Sequence, residues 1–117
     1  MRNFKNLHFW KRSHHLTLQV YKVTKAFPKT EIYELTSQLR RASSSVPTNI
    51  AEGCGRLSDK ELARFIVIAT GSLVEVEYLI LLSFELEYIS EQEHKILDKE
   101  INEIKSMMYA YHKKLIS

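Results

Sequence analysis

The sequence contains few of the residues that cross-link a chain or turn it sharply. Its 117 residues include one cysteine, Cys54, with three glycines and two prolines. A single cysteine excludes an intramolecular disulfide framework and a cysteine-rich zinc site. So few turn residues argue against short strands joined by hairpins. With 44% hydrophobic and 26% charged residues, the composition excludes a disordered chain and a membrane bundle. A small soluble helical protein of one domain, residues 1–117, is expected.

Four stretches carry apolar residues at the spacings of three and four that are typical of amphipathic helices. They predict helices over about residues 7–27, 31–53, 59–87 and 91–116. Pro28 is expected to end the first helix, Thr30 to cap the second, and Pro47 to bend the second from inside. Because the connections are short, consecutive helices should pack antiparallel. The predicted fold class is all-α, an antiparallel up-down-up-down four-helix bundle.

The ends of the predicted helices carry recognisable polar residues and glycines. Ser58 and Ser90 are each followed three residues later by glutamate, which is the pattern of a capping box at a helix start. Gly53 and Gly55 are expected to supply the left-handed backbone that closes the second helix. Gly71 lies within the third helix, where its small size predicts close approach of another helix.

The third helix is more apolar than one bundle-facing side requires. Of the 25 residues from Leu62 to Leu86, 17 are hydrophobic. A transmembrane span is disfavoured because Glu75 and Glu77 lie near the middle, where each costs roughly 2.5–3.5 kcal/mol at a bilayer centre. A helix that is apolar nearly all round must be buried nearly all round. The excess therefore predicts a subunit interface and a homo-oligomer.

Charge is distributed unevenly along the chain. Residues 1–41 hold nine Lys or Arg against two Glu, residues 42–89 hold three against seven acidic residues, and the rest balance at five against five. Such asymmetry is typical of a surface that meets nucleic-acid phosphates or an acidic neighbouring subunit, although solvated helix faces give the same pattern. The candidate nucleic-acid-binding residues are Lys11, Arg12, Lys22, Lys25, Arg40, Arg41 and Arg56.

The spacing of the histidines predicts no metal site. His14 and His15 are adjacent and point about 100° apart on a helix, so they do not face one ion. One Glu-x-x-His element, Glu91 with His94, is present, but di-iron bundles need two with further carboxylates. We expect no metal and no cofactor. With no secretory leader and a free thiol, a cytoplasmic protein is expected.

No arrangement of nucleophile and base is evident either. The serines at 43–45 lack the context of a nucleophile elbow, and Cys54 lacks a histidine partner. A hydrolase using Glu52 and Glu75 is disfavoured because no base, metal or nucleophile converges with them. The chain is predicted not to be an enzyme.

Polar residues recur beside the apolar side of the second helix and again in the third. Arg41 and Glu75 are expected to form an interhelical ion pair, and the Asn49 amide to bond the neighbouring helix. These residues predict either a buried polar network that fixes helix register or a phosphate site built by Arg40, Arg41 and Arg56. We call this set the polar motif; its members are Arg41, Ser45, Asn49, Glu52, Gly53, Gly71, Ser72 and Glu75.

At the polar motif the sequence resembles a bacterial family of four-helix-bundle proteins named for open reading frames in 23S rRNA intervening sequences. The resemblance rests on three segments and spans almost the whole chain. They are Gln38-Leu39-Arg40-Arg41-Ala42 with Ser45-Val46, Asn49-Ile50-Ala51-Glu52-Gly53, and Ile68-Ala69-Thr70-Gly71-Ser72-Leu73-Val74-Glu75.

The resemblance implies a bundle that assembles as a homopentamer and that is often labelled ribosomal-protein-like. A related branch, the accessory proteins of diversity-generating retroelements, forms pentameric barrels that bind nucleic acid and a reverse transcriptase. The expected function is therefore a non-enzymatic oligomeric module that binds RNA or other nucleic acid within a ribonucleoprotein. The alternative is a protein–protein scaffold or adaptor without nucleic-acid binding, and no membrane partner is expected.

Overall fold

A computed structural model describes residues 2–117, which form four α-helices and no strand. The helices are α1 His8–Thr24, α2 Leu35–Cys54, α3 Asp59–Glu85 and α4 Glu91–Leu115. Helix α1 packs against α2 and α4, and α3 packs against the same two, so the helices lie at the corners of a square. The predicted all-α class is confirmed.

Contacts between the helices show that neighbours run in opposite directions. Trp10 near the start of α1 donates to the carbonyl of Pro47 late in α2, while Thr24 at the end of α1 contacts Arg40 early in α2. The same reversal relates α2 to α3, α3 to α4 and α1 to α4. The chain therefore has the predicted up-down-up-down course, with α3 of 27 residues running along the 43 Å axis.

The core between the helices consists of aliphatic side chains at the predicted helical spacing. None of them exposes more than 2% of its surface. They are Leu16, Val20, Leu39, Val46, Ile50, Leu62, Ile66, Leu73, Ile80, Ile101, Ile104 and Met108.

The connection between α1 and α2 is longer than predicted. Helix α1 ends at Thr24 because the next three amides bond carbonyls three residues back, which tightens the chain before Pro28. A 3-10 turn, Lys29–Glu31, follows, and α2 begins at Leu35 rather than at residue 31. Thr30 does not cap α2. Instead, the Glu31 carboxylate accepts the Leu35 N–H at 3.3 Å.

Two serines begin the other helices as predicted. The Ser58 hydroxyl accepts the Glu61 N–H at 3.2 Å, and the Ser90 hydroxyl accepts the Glu93 N–H at 3.0 Å. Only at Ser90 does the glutamate side chain also accept the N–H of the serine, which completes the capping box. Hydroxyl caps of this kind contribute about 1 kcal/mol each.

The glycines after α2 do not have the backbone conformation that we expected. Within residues 2–117 no glycine has a positive φ, and Gly55 has φ −79°. Gly53 lies within α2, where a Cβ would approach the Phe65 Cβ to 2.7 Å. The left-handed residue is Glu87, with φ 64°, in the turn between α3 and α4. Gly53 is therefore needed for close helix packing and not for chain reversal.

Pro47 lies inside α2 as predicted, and a residue of α1 compensates for it. Proline has no N–H to donate to the carbonyl of Ser43, four residues earlier. The Thr17 hydroxyl shares its proton between that carbonyl, at 2.9 Å, and the Ser13 carbonyl of its own helix, at 3.1 Å. The Trp10 indole N–H donates to the Pro47 carbonyl at 3.1 Å. These side chains stabilise the proline-containing helix through α1.

Helix α3 is long and apolar enough to cross a membrane by length and composition, with a mean hydropathy of 2.0 over its most apolar 18 residues. The core helix of a soluble bundle has the same properties. In this chain α3 packs against both α2 and α4, yet only 39% of those 18 residues are buried. Much of its apolar surface is therefore left without a partner within the chain.

Candidate nucleic-acid interface

One face of α1 is basic and free of acidic residues. The 17 residues of the helix include Lys11, Arg12 and Lys22 and no Asp or Glu. Lys11 and Lys22 are eleven residues apart, which is about three turns, so they lie on the same side roughly 16 Å apart along the axis. Lys25 at the helix end continues this side. All three lysines are exposed, and none forms a salt bridge with the described residues.

Arg40 of α2 joins this face at the seam with α1. Its Nε donates to the Thr24 hydroxyl at 2.8 Å, and its guanidinium lies 4.8 Å from the ring centroid of Tyr21. The Tyr21 ring is 43% exposed, so it forms an aromatic surface beside a fixed positive charge. The next residue, Arg41, points about 100° away, is exposed, and has no salt bridge among residues 2–117.

Arg12 does not belong to the basic face. Its guanidinium turns toward α4, where Nε and Nη2 donate to the two oxygens of Glu100, both at 2.7 Å, and Nη2 also donates to Glu103 at 2.6 Å. This hydrogen bonding raises the pKa of Arg12, and the bond from Arg12 lowers the pKa of Glu103. Arg12 is therefore a link between α1 and α4 whose charge is already neutralised.

The depressed pKa of Glu103 makes the Arg12 network dependent on pH. A carboxylate whose folded pKa is lowered stabilises the protein above its unfolded pKa, about 4.3, and this contribution is lost as the pH falls through the folded value. We expect Arg12→Gln to destabilise the protein at pH 7 and the difference from wild type to shrink below pH 4. Urea denaturation across this range measures it, with Lys95→Gln in the exposed Lys95–Glu91 pair as control. A difference that is independent of pH would contradict the assignment.

Arg56 is also separated from the basic face. It follows α2 near the start of α3, where its guanidinium lies 4.9 Å from the ring centroid of Phe65 and 4.0 Å from the carboxylate of Glu52. The predicted phosphate site that combines Arg40, Arg41 and Arg56 is therefore not formed, because Arg40 and Arg56 lie near opposite ends of α2.

The polar motif forms a seam between α2 and α3. The hydroxyls of Ser45 and Ser72 are 3.1 Å apart across the two helices. The Asn49 amide donates to the carbonyl and hydroxyl of Ser45, in its own helix rather than in the neighbouring one. Further along, the Gln38 amide donates to Glu75 at 3.4 Å. These contacts support the interpretation of a part-buried network that fixes the register of α2 against α3.

One other expectation for the polar motif, the interhelical ion pair, is wrong. The ion pair between Arg41 and Glu75 is not formed, because Gln38 occupies the position opposite the carboxylate. Gly71 is exposed, and a Cβ placed on it would meet nothing within 4 Å. No helix of the same chain approaches Gly71, so the close contact predicted there is absent from the single chain.

A groove of about 630 Å³ lies between α1 and α4. We call it the α1–α4 groove. The Gln19 side chain borders it, and its buried Oε1 has no hydrogen-bond partner among the described residues. Apolar side chains from both helices and from the residues just after α1 line it: Leu18, Val23, Ala26, Ile96 and Leu97. Three ionisable residues complete its lining: His15, Lys22 and Glu93.

Two of the five histidines lie in aromatic contacts. His14 stacks on Trp10 with 5.2 Å between ring centroids, and His94 stacks on Phe84 at 4.6 Å. Within residues 2–117, no group of three or more His, Cys, Asp or Glu side chains is arranged to hold a metal ion. The thiol of Cys54 is buried, which raises its pKa and disfavours the thiolate.

Two residues of these surfaces were not predicted from the sequence. Tyr21 lies beside Arg40 at the surface, a contact between α1 and α2 that the spacing of apolar residues does not predict. Gln19 is a single glutamine between apolar residues and belongs to no motif, so the sequence does not predict its place beside the groove. On a helical projection of α1, Tyr21 lies next to Lys25, so its position at the surface can be predicted from the sequence.

The family model of the 23S rRNA-intervening sequence protein matches residues 5–110, which include all four helices except the last turn of α4. The chain belongs to this family. The resemblance seen in the polar motif is thus confirmed over most of the chain. No curated protein matches this chain.

A solved structure from a similarly named family has the same fold as this chain. It is a protein of unknown function from the S23 ribosomal protein family of Bacteroides thetaiotaomicron, with a TM-score of 0.82 and 20% sequence identity. The match covers 90% of this chain and 95% of that one. At this identity the likeness establishes the helical fold and does not transfer a function.

Proposed function

We propose that this family member is a non-enzymatic, cytoplasmic, oligomeric protein that binds RNA or other nucleic acid through the outer face of α1 and α2. The observation that carries the proposal is the row of three exposed lysines without a salt bridge on one side of α1 and its end, in a helix that contains no acidic residue. Phosphate contacts of this kind give affinity without base recognition. The interface residues are Lys11, Lys22, Lys25, Arg40 and Arg41.

The lysines and Arg40 have defined parts in the proposal, and Arg41 adds one more exposed charge next to Arg40 in the sequence. The three lysines supply mobile point charges along one side of α1, which suits the irregular path of a folded RNA backbone. Arg40 is held against Tyr21, so the pair offers a planar surface on which an unpaired base stacks. Arg12 and Arg56 take no part because each faces glutamate.

Self-association belongs to the same proposal. Exposed apolar residues on α3 support it, and the homopentamer is the assembly that the family resemblance implies. Because one particle would carry several basic faces, its overall affinity for a nucleic acid that contacts more than one of them would exceed the affinity of each face alone. Light scattering of the native particle, combined with its absorbance ratio at 260 and 280 nm, reports stoichiometry and carried nucleic acid together.

The binding prediction is tested by the salt dependence of the affinity for a structured RNA. If each chain contacts about four phosphates, the affinity falls roughly 10²-fold between 50 and 200 mM salt. Replacing Lys11, Lys22, Lys25 and Arg41 together by glutamine should remove most of the binding and flatten the salt slope. Fluorescence anisotropy with labelled RNA measures both.

The matched control neutralises the same number of charges on α4. It replaces Lys95, Lys99, Lys113 and Lys114 by glutamine and should retain near wild-type affinity. An equal loss in both variants would show that net charge, and not the α1–α2 face, determines binding. No binding at 50 mM salt would overturn the proposal and favour the alternative of a scaffold or adaptor.

A further inference from the structure

A row of exposed side chains runs along the outer side of α1. Its members are spaced by three, four, three and four residues, so they lie on one side of the helix over roughly 21 Å. We call it the α1 stripe; it consists of Lys11, His14, Leu18, Tyr21 and Lys25. Lys25 follows the last residue of α1 but keeps helical backbone angles, so it continues the row. The α1 stripe thus has a cation at each end, with two rings and an apolar side chain between them.

The His14 ring is held flat against a second ring. It stacks on Trp10 with 5.2 Å between centroids and 7° between the ring planes. Trp10 is itself held in place, because its indole N–H donates to the Pro47 carbonyl at 3.1 Å and the Phe4 ring meets it edge-on at 4.7 Å. One face of His14 is therefore covered by a held ring. Since His14 is exposed, its other face is open to a ligand.

The Tyr21 ring is the second flat surface of the α1 stripe. The Arg40 guanidinium lies 4.8 Å from its centroid and is held there by the hydrogen bond from Arg40 Nε to the Thr24 hydroxyl. The Tyr21 ring remains 43% exposed, and Leu18, between the two rings, is 54% exposed. His14 and Tyr21 are seven residues apart, so their Cα atoms lie roughly 10 Å apart along the axis. This distance corresponds to three steps of stacked bases at about 3.4 Å each.

These side chains fit an unpaired strand of nucleic acid. Bases stack on aromatic and guanidinium planes where they are splayed out in loops and single strands, whereas the bases of a duplex are stacked on one another. The lysines at both ends of the α1 stripe and Lys22 beside it attract phosphates, and α1 has no acidic residue to repel them. Across the α1–α4 groove, the Glu93 carboxylate is turned toward the N–H of Ser90, 2.8 Å away, in the capping box of α4.

We propose that the α1 stripe binds an unpaired segment of nucleic acid, with one base stacked on His14, a second on Tyr21, and the flanking phosphates held by Lys11 and Lys25. This inference rests on the proposed nucleic-acid binding and specifies its substrate class. The segment from His14 to Tyr21 has about four nucleotides, because the two bases are three steps apart. Since every base has a flat face, stacking of this kind requires no particular sequence.

The test compares an unstructured RNA of about twelve nucleotides with the same RNA annealed to its complement, by fluorescence anisotropy. The single strand should bind at least about 5-fold more tightly, which is the smallest contribution expected from one stacked base, although the duplex carries more phosphates. The same strand made as DNA should bind comparably, because neither phosphate contacts nor base stacking use the 2′-hydroxyl. DNA that does not bind would overturn the assignment of the contacts to phosphates and base faces.

Substitutions at the two rings separate stacking from charge and bulk. His14→Leu and Tyr21→Leu remove a flat ring but keep an apolar side chain, so each should lower the affinity for the single strand at least about 5-fold and leave the affinity for the duplex unchanged. His14→Phe and Tyr21→Phe keep a ring and should bind like the wild type. Circular dichroism confirms that each variant is folded.

The matched control is Tyr109→Leu on α4, where the tyrosine is 70% exposed and outside the α1 stripe; it should bind both ligands like the wild type. Equal affinity for single strand and duplex, or leucine variants with wild-type affinity, would overturn the inference and leave the proposed function standing. A smaller particle in sedimentation velocity for the leucine variants would assign the α1 stripe to a subunit contact and would also overturn it. A wild type that binds neither ligand would instead refute the proposed nucleic-acid binding.

Discussion

Gly53→Ala is expected to lower the free energy of unfolding by about 1–3 kcal/mol, and Gly53→Val to lower it further. A Cβ at Gly53 would lie 2.7 Å from the Cβ of Phe65 and 3.0 Å from a methyl group of Leu62. The Phe65 Cβ moves only with the backbone of α3, so α2 and α3 must separate. Urea denaturation followed by circular dichroism measures the loss.

The control is the same substitution at the other helical glycine. Gly71→Ala meets nothing within 4 Å in the single chain and should raise the stability of the monomer by about 0.5–1 kcal/mol. Both substitutions are compared with the wild type at a protein concentration at which light scattering gives the same mass for all three proteins, so that assembly does not enter the comparison. If Gly53→Ala were also stabilising, helix propensity would outweigh the contact with Phe65, and our account of the α2–α3 packing would be wrong.

The two helical glycines show which features of the fold can be predicted from the sequence and which cannot. The spacing of apolar residues predicted four helices because burial of one side follows directly from periodicity. The role of each glycine depends on the distance to another helix, which no local pattern contains. Gly53 was expected to reverse the chain and instead allows close packing, while the left-handed residue is Glu87.

The candidate interface was predictable to a similar extent. An excess of basic residues in the first 41 positions marked the region, and three of its lysines do lie on one exposed face. Arg12 was assigned to the same group because its partners, Glu100 and Glu103, lie about ninety residues away in the sequence. Only the packing of α1 on α4 shows that its charge is already paired.

The same dependence on tertiary contacts applies to Pro47. Thr17→Val is expected to cost about 1–3 kcal/mol, because it leaves the buried Ser43 carbonyl without its 2.9 Å hydrogen bond from the hydroxyl. In the Pro47→Ala protein the restored amide of residue 47 donates to that carbonyl, so the same substitution should cost much less. The two changes are therefore expected to be strongly non-additive.

A double-mutant cycle measured by urea denaturation tests this coupling. We expect an interaction energy of about 1–2 kcal/mol, within the range found for residues that share a partner. Ser83→Ala is the matched control, since its buried hydroxyl bonds the Leu79 carbonyl of its own helix and has no connection to Pro47. Its effect should add to that of Pro47→Ala within about 0.5 kcal/mol. Additive effects of Thr17→Val and Pro47→Ala would mean that the Ser43 carbonyl finds another donor, and that α1 does not compensate for the proline in α2.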